Sequence, residues 1–167
     1  AKFHYIFNLR DLSRITEGLC VGTPDVVTTA GQFVRLFRHE AERVFCDRLT
    51  TTEDQKEFLA IMKSVVKGSY ATEVDTVFAD PCTFGDYEHA VERIEAGDDG
   101  TVEDARLYKD MGDYVVVRKI FDQVLELYNA EHKAMNLVLF EQALEHLTRI
   151  HRIIRCPRGN ALLVGVG

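Results

Sequence analysis

The chain has 167 residues, enough for one domain or parts of two, and its 46% hydrophobic and 28% charged residues exclude a disordered or low-complexity segment. Lys and Arg number 20 against 27 Asp and Glu, and the net charge of −7 argues against a nucleic-acid groove or an anionic membrane surface as the main partner, since both demand a basic patch. No apolar run is long enough to span a bilayer, and no basic segment followed by a hydrophobic stretch opens the chain as a secretion signal.

Taken in chain order, Phe3, Tyr5 and Phe7 alternate with His4 and Ile6 in a short extended lead-in. Asn8 then reads as the N-cap of a first helix, with Asp11 three residues on as in a capping box and Gly18 as its stop. A second helix is expected from about Thr28 to Leu49, with Phe33, Phe37, Ala41, Val44, Phe45 and Leu49 as its apolar stripe. Its other side carries Arg35, Arg38, Glu40, Arg43 and Asp47, where Glu40–Arg43 and Arg43–Asp47 are spaced to pair. A third helix runs from about Glu53 to Lys67, capped by Thr51 or Thr52 and ended by Gly68.

From Phe78 to Gly112 the pattern weakens. Asp80-Pro81 and Phe84-Gly85 are turn chemistry, Tyr87 to Ile94 suits a short helix, and Gly97-Asp98-Asp99-Gly100 reads as a solvated acidic loop without the ligand alternation of a calcium site. Val117 to His132 is a further helix with Ile120, Val124, Leu127 and Tyr128 on one face. The last helix carries Phe140, Leu144, Leu147, Ile150 and Ile154 over about four turns, and Pro157 and Gly159 break it.

The cysteines Cys20, Cys46, Cys82 and Cys156 are scattered, with no CxxC pair, and read as thiols of a reduced, intracellular chain. Zinc is set aside: His39-Glu40 does not continue to the second His of HExxH, and His146 and His151 miss the i,i+4 face that clamps a metal. Arg149, Arg152, Arg155 and Arg158 make a basic stripe that reads as a solvated or interface face, with no chemistry of its own.

After Pro157 the sequence Ala161-Leu162-Leu163-Val164 is an unalternating apolar run, the pattern of a strand buried on both faces of a parallel sheet. No other good strand is available to flank it, and a lone strand is unstable in water, so the expectation is that its sheet lies outside this sequence and that the chain is a piece of something larger. A buried strand followed by Gly-x-Gly is how a GxxxxGK[ST] phosphate loop begins, its glycines letting backbone N–H groups turn in around phosphates. Gly165 then takes the first glycine of the motif, and the lysine falls four positions beyond Gly167. Taken alone, a strand ending in glycine is commonplace.

The stretches Met135-Asn136-Leu137-Val138-Leu139-Phe140-Glu141, Glu145-His146, Arg149-Ile150-His151-Arg152-Ile153 and Pro157 to Gly167 resemble the opening of the fourth AAA+ module of dynein heavy chains. His4 to Arg14 resembles the start of the lid of the third module, and His39-Glu40, Arg43-Val44-Phe45 and Asp47-Arg48-Leu49 resemble the next helix of that lid. Residues 58–112 match little. Asn8-Leu9-Arg10-Asp11 and Met135 to Phe140 look more like axonemal than cytoplasmic dyneins, whereas Phe37 stands where many relatives carry Trp and Gln142 replaces a common acidic residue.

The resemblance implies a mostly α fold: an AAA+ helical lid (small subdomain of the third module) over residues 1–133, then residues 134–167 as the first helix and first strand of an incomplete α/β AAA+ large subdomain, ending inside the Walker A loop. It implies that the parent is an ATP-driven microtubule motor of cilia and flagella, placed in the cytoplasm, cytoskeleton and axoneme, with ATP or ADP and Mg2+ as its cofactors. The partners implied are the rest of the motor ring, the microtubule, and dynein intermediate and light chains, with no nucleic acid and no membrane.

By the same resemblance Arg10 is the sensor arginine aimed at a terminal phosphate, a role that suits a permanently charged, forked guanidinium. Its plainer alternative is a surface pair with Asp11 or Glu17. Leu137 and Val138 would pack an apolar edge against adenine, or else belong to the core, and Gly165 and Gly167 would begin the phosphate loop. No general base, Walker B acid or complete P-loop lies within the sequence, so the segment alone is expected neither to bind ATP nor to hydrolyse it, but to couple nucleotide state between neighbouring modules. The rival expectations are a free-standing helical adaptor that binds partner helices without nucleotide, and an unrelated AAA+ ring ATPase.

Overall fold

A computed structural model describes residues 4–97 and 106–165. The chain divides into two compact units, one of Ala1–Phe84 with Leu107–Asp110 and one of Gly85–Arg106 with Met111–Gly167.

In the first unit, helix α1 (Leu9–Leu19) starts where its cap chemistry dictates. Asn8 Oδ1 accepts from the Arg10 N–H at 2.9 Å, and Asp11 Oδ2 accepts from the Asn8 N–H at 2.8 Å, so both sides of the capping box are present. The other oxygen of Asp11, a buried residue, takes Nη1 of Arg48 at 2.8 Å, and Arg48 also donates to the Ile6 carbonyl at 2.9 Å. Helix α2 (Ala30–Val44) is boxed by Thr29 and Gln32 and runs on through Phe45 into a 3-10 turn at Cys46–Arg48. Helix α3 (Thr52–Ser69) is capped by Thr51 and passes through Gly68 rather than ending there. A 3-10 turn at Ala71–Glu73 leads into the one-turn helix α4 (Val74–Val77).

The expected stripe on α2 is only partly the buried face. Ala41 and Val44 are buried, but Phe33 and Phe37 are 47% and 38% exposed; Val34 and Leu36 are buried in their place, with Arg38, His39, Glu40 and Glu42. The reason is that α2 is the central helix of this unit, packed by α1, α4 and its own 3-10 extension, so its charged residues cannot all reach water. Buried charges need partners. Arg35 donates to the carbonyls of Thr76, Ala79 and Pro81 at 3.0, 2.7 and 2.7 Å and pairs with Asp110. Arg38 binds Glu42 at 2.6 Å, Asp80, and the carbonyls of Val77 and Ala79, each at 3.1 Å. Glu40 accepts from the Tyr108 hydroxyl at 3.1 Å, and His39 Nδ1 donates to the Cys82 carbonyl at 3.1 Å. Arg43 reaches Asp47 at 3.3 Å, as expected, and also Glu42 at 3.4 Å.

Three apolar clusters fill this unit: Ile15, Ala41, Val44 and Met62; Val34, Val66, Val74 and Val77; and Leu36, Phe84 and Tyr108. Gly18 lies so close to Glu40 that a Cβ there would stand 1.9 Å from its carboxylate oxygen, and a side chain at that point would displace the Glu40 carboxylate. Phe84–Gly85 (β1) and Lys109–Asp110 (β2) form a minimal two-stranded ladder where the chain leaves the first unit and returns to it, so Phe84-Gly85 is strand rather than turn.

In the second unit a short helix α5 (Ala90–Ala96) precedes α6 (Tyr114–Glu131), whose first turn is capped by Asp113 accepting from the N–H groups of Val115 and Val116 at 2.9 and 3.1 Å. Asp98, Asp99 and Gly100 of the expected acidic loop lie outside the described residues. Helix α7 (Glu141–Arg155) follows a nine-residue connection. Tyr87, Met111, Val117, Ile120 and Leu144 form the core, with Val117 and Leu144 fully buried. At the exit of α7 a Cβ on Gly159 would lie 1.7 Å from the Ile153 carbonyl oxygen, which makes that breaker position obligatory.

The apolar run Ala161–Val164 forms no ladder. Leu162 and Val164 are 90% and 87% exposed, and among the described residues no strand flanks them; without a neighbour, a strand's N–H and C=O groups have nothing to bond.

Replacing Asp11 by Ala removes one half of the α1 capping box and the carboxylate that holds Arg48. The expected loss is about 1–3 kcal/mol of stability, read as a lower midpoint in urea at unchanged slope. A midpoint equal to that of the unaltered chain would show that neither contact holds α1.

Candidate functional site

Helix α1 presents Arg10 from its first turn, and the residue is exposed. The surface partner expected for it, Asp11, is already occupied on both oxygens by the Asn8 N–H and by Arg48. Among the described residues no hydrogen bond or ion pair holds the Arg10 guanidinium, so it projects as a cation with its donors open.

The other expected residues belong to the second unit. Leu137 and Val138 lie in the connection between α6 and α7 and are 56% and 81% exposed, outside the core of this unit. Leu139, the next residue, does pack against the core around Leu144. Gly165 is exposed, and a Cβ there would meet nothing within 4 Å; Gly167 lies outside the described residues. Taken unit by unit, the groups are of a kind a nucleotide uses: in the first an uncommitted guanidinium for phosphate, in the second two uncovered aliphatic side chains and an unobstructed glycine backbone. Among the described residues no group of three or more His, Cys, Asp and Glu gathers as a metal site, and no helix is long and apolar enough to cross a membrane.

Two arrangements in this unit were not visible in the sequence. The first is a buried carboxylate, Asp86, gripped from α7: His151 Nε2 binds its Oδ1, and Arg155 Nε binds its Oδ2 at 2.7 Å. Burial pushes the Asp86 carboxyl up, but the His151 hydrogen bond and the charge of Arg155 more than reverse that and hold it below the usual carboxylate range. Arg155 is thus committed to Asp86, and Arg149 to Glu145 within the same helix, whereas Arg158 lies beyond the end of α7 and is exposed. The second is Asn129, in the last turn of α6, whose side-chain amide bonds both backbone groups of Met135. His146, by contrast, is exposed on α7 and takes no part.

Residues 1–79 match the model of the AAA+ lid domain, and residues 135–167 match the P-loop containing dynein motor region D4. Over 168 residues the chain is 46% identical to the dynein-1-alpha heavy chain of the flagellar inner arm I1 complex of Chlamydomonas reinhardtii, covering 100% of this chain and 4% of that one. The chain belongs to the dynein heavy chain family. Human dynein axonemal heavy chain 10 is likewise 46% identical over 167 residues, and the flagellar outer-arm dynein beta chain of Chlamydomonas reinhardtii 42% over 171, with 4% of each relative covered. The present chain thus spans about 4% of the length of these dynein heavy chains. Its mostly helical first part is the AAA+ lid fold that the sequence led one to expect.

Because the Asp86 carboxyl has a lower pKa folded than unfolded, its contribution to stability is complete above about pH 4, the unfolded value, and is lost as pH falls through the folded value. Asp86→Asn should cost about 1–3 kcal/mol at pH 7, less than for a fully buried pair because His151 and Arg155 are each about 30% exposed. The difference between the two proteins in urea unfolding should shrink steadily below pH 4. A difference independent of pH down to pH 2 would refute the pairing.

Proposed function

We propose that this chain is the part of an axonemal dynein heavy chain that joins the lid of the third AAA+ module, residues 1–133, to the opening of the fourth, residues 134–167, inside an ATP-driven microtubule motor of cilia and flagella. In this reading the parent works in the cytoplasm, on the cytoskeleton of the axoneme. Its partners are the remainder of the motor ring, the microtubule, and dynein intermediate and light chains.

The observation that carries the coupling role is the core of the second unit. Helix α6, on the lid side of the proposed boundary, contributes Val117 and Ile120; helix α7, on the other side, contributes Leu144 to the same cluster. Close-packed side chains of this kind transmit displacement because they cannot be compressed independently. Closure of the lid at one nucleotide would then move the first helix of the next module.

Arg10 is assigned to the terminal phosphate of the third module's nucleotide, and Leu137 with Val138 to the adenine of the fourth. Gly165 and Gly167 are assigned to the phosphate loop that follows. ATP or ADP would supply the phosphoanhydride chemistry, and its Mg2+ would be held by phosphates and by residues elsewhere in the parent, since no carboxylate cluster gathers among the described residues. The segment by itself couples, and neither binds nor hydrolyses ATP; hydrolysis needs the base and the acid that its sequence lacks.

In the full-length heavy chain, Arg10→Ala should slow ATP-driven microtubule gliding several-fold while nucleotide-free microtubule binding is kept, since the arginine would act on phosphate and not on the track. Gliding at the unaltered speed would remove Arg10 from the nucleotide site. A full-length chain that neither hydrolyses ATP nor moves microtubules would overturn the motor assignment itself.

A further inference from the structure

The connection 132–140 is held near its start by the side chain of Asn129. Asn129 Oδ1 accepts from the Met135 N–H at 2.8 Å, and Asn129 Nδ2 donates to the Met135 carbonyl at 3.1 Å. The amide thus pairs with both backbone groups of one residue, as a neighbouring strand would. Only a side chain with an acceptor and a donor on one planar group can do this, and the pattern also fixes which way round the amide lies. The turn before it is closed by the His132 N–H bonded to the Tyr128 carbonyl at 3.0 Å, with the His132 ring stacked on Tyr128 at 4.3 Å. On the far side, Leu139 is anchored in the core. Leu137 and Val138 therefore sit exposed on a short span pinned at both ends, by Asn129 through Met135 and by Leu139.

We propose that Asn129 is a positioning residue for the base-binding edge: through Met135 it holds Leu137 and Val138 in place for a purine nucleotide. This rests on the assignment of Leu137 and Val138 to adenine. Asn129 itself touches no nucleotide. It removes the cost of ordering the connection when the base arrives, and that saving appears as affinity rather than as rate. Because Asn129 stands on the last turn of α6, the helix that shares the core with α7, it also ties the shape of the base edge to the position of that helix.

The test uses the full-length heavy chain and photolabelling with 8-azido-ATP, scored on the tryptic peptide of residues 134–149, which contains Leu137 and Val138. Two lost hydrogen bonds of ordinary strength predict that Asn129→Ala raises the half-labelling concentration about tenfold, with the plateau of labelling unchanged. Asn129→Asp keeps the acceptor for the Met135 N–H and loses the donor, and should fall between; it also decides the matter if Asn129→Ala does not fold. Val138→Asp should abolish labelling of that peptide. Labelling of both Asn129 variants at the unaltered concentration, with Val138→Asp still impaired, would overturn the role of Asn129 and leave the adenine assignment standing. A fall in the plateau without a shift in concentration would mark Asn129 as merely structural and overturn the proposal too. If Val138→Asp labels normally, or the peptide is never labelled, the adenine assignment fails first and the positioning role with it.

Discussion

Two arginines three residues apart on α2 decide whether the first unit closes. The segment from Thr76 to Pro81 has little regular structure, and its carbonyls take donors from outside it. Arg35 and Arg38 supply them, reaching the carbonyls of Thr76, Val77, Ala79 and Pro81 between them while Asp110, Glu42 and Asp80 balance their charge. Burial tends to lower the pKa of Arg38, and Glu42 and Asp80 more than offset it, so the guanidinium stays charged at any pH at which the fold exists. Burial also pushes the Cys82 thiol up to about 12, against the pull of Arg38 and Arg35, leaving it a small apolar filler beside the clamp.

The second unit is organised around a smaller theme. A few apolar side chains from α6 and α7 share one cluster, and Asp86 holds α7 beside it through His151 and Arg155, while Arg149 pairs with Glu145 along α7 itself. Among the described residues of this unit, Leu137 and Val138 of the connection and the apolar run beyond Gly159 are exposed, as are Val115, Val116 and Ile154.

Local chemistry was legible in the sequence, and distant chemistry was not. Asn8 with Asp11, and Thr51, announced their helix starts because a cap is settled within three or four residues. The interior of α2 misled, because the burial of Arg38 and Glu40 depends on Asp80 and Tyr108, 42 and 68 residues further on. Gly68 missed the end by a single residue, since glycine permits a helix to stop but does not compel it, and α3 runs on to Ser69. The expected site residues came from family likeness, and the structure adds that Arg10, Leu137 and Val138 are exposed. Asn129 gave one faint signal, an amide in the last turn of an expected helix six residues before an apolar stretch, but its reciprocal bonding exists only once the chain has turned back on itself.

The contact of Gly18 with Glu40 shows how tightly this small fold is geared. The carboxylate that fills the space over Gly18 is the same one that receives the Tyr108 hydroxyl. One added methyl on α1 would push the Glu40 head aside, and the disturbance would surface at Tyr108, on the far return of the chain. Room at the first helix and the bond to Tyr108 are thus drawn from one and the same side chain, and a change in either is felt by the other.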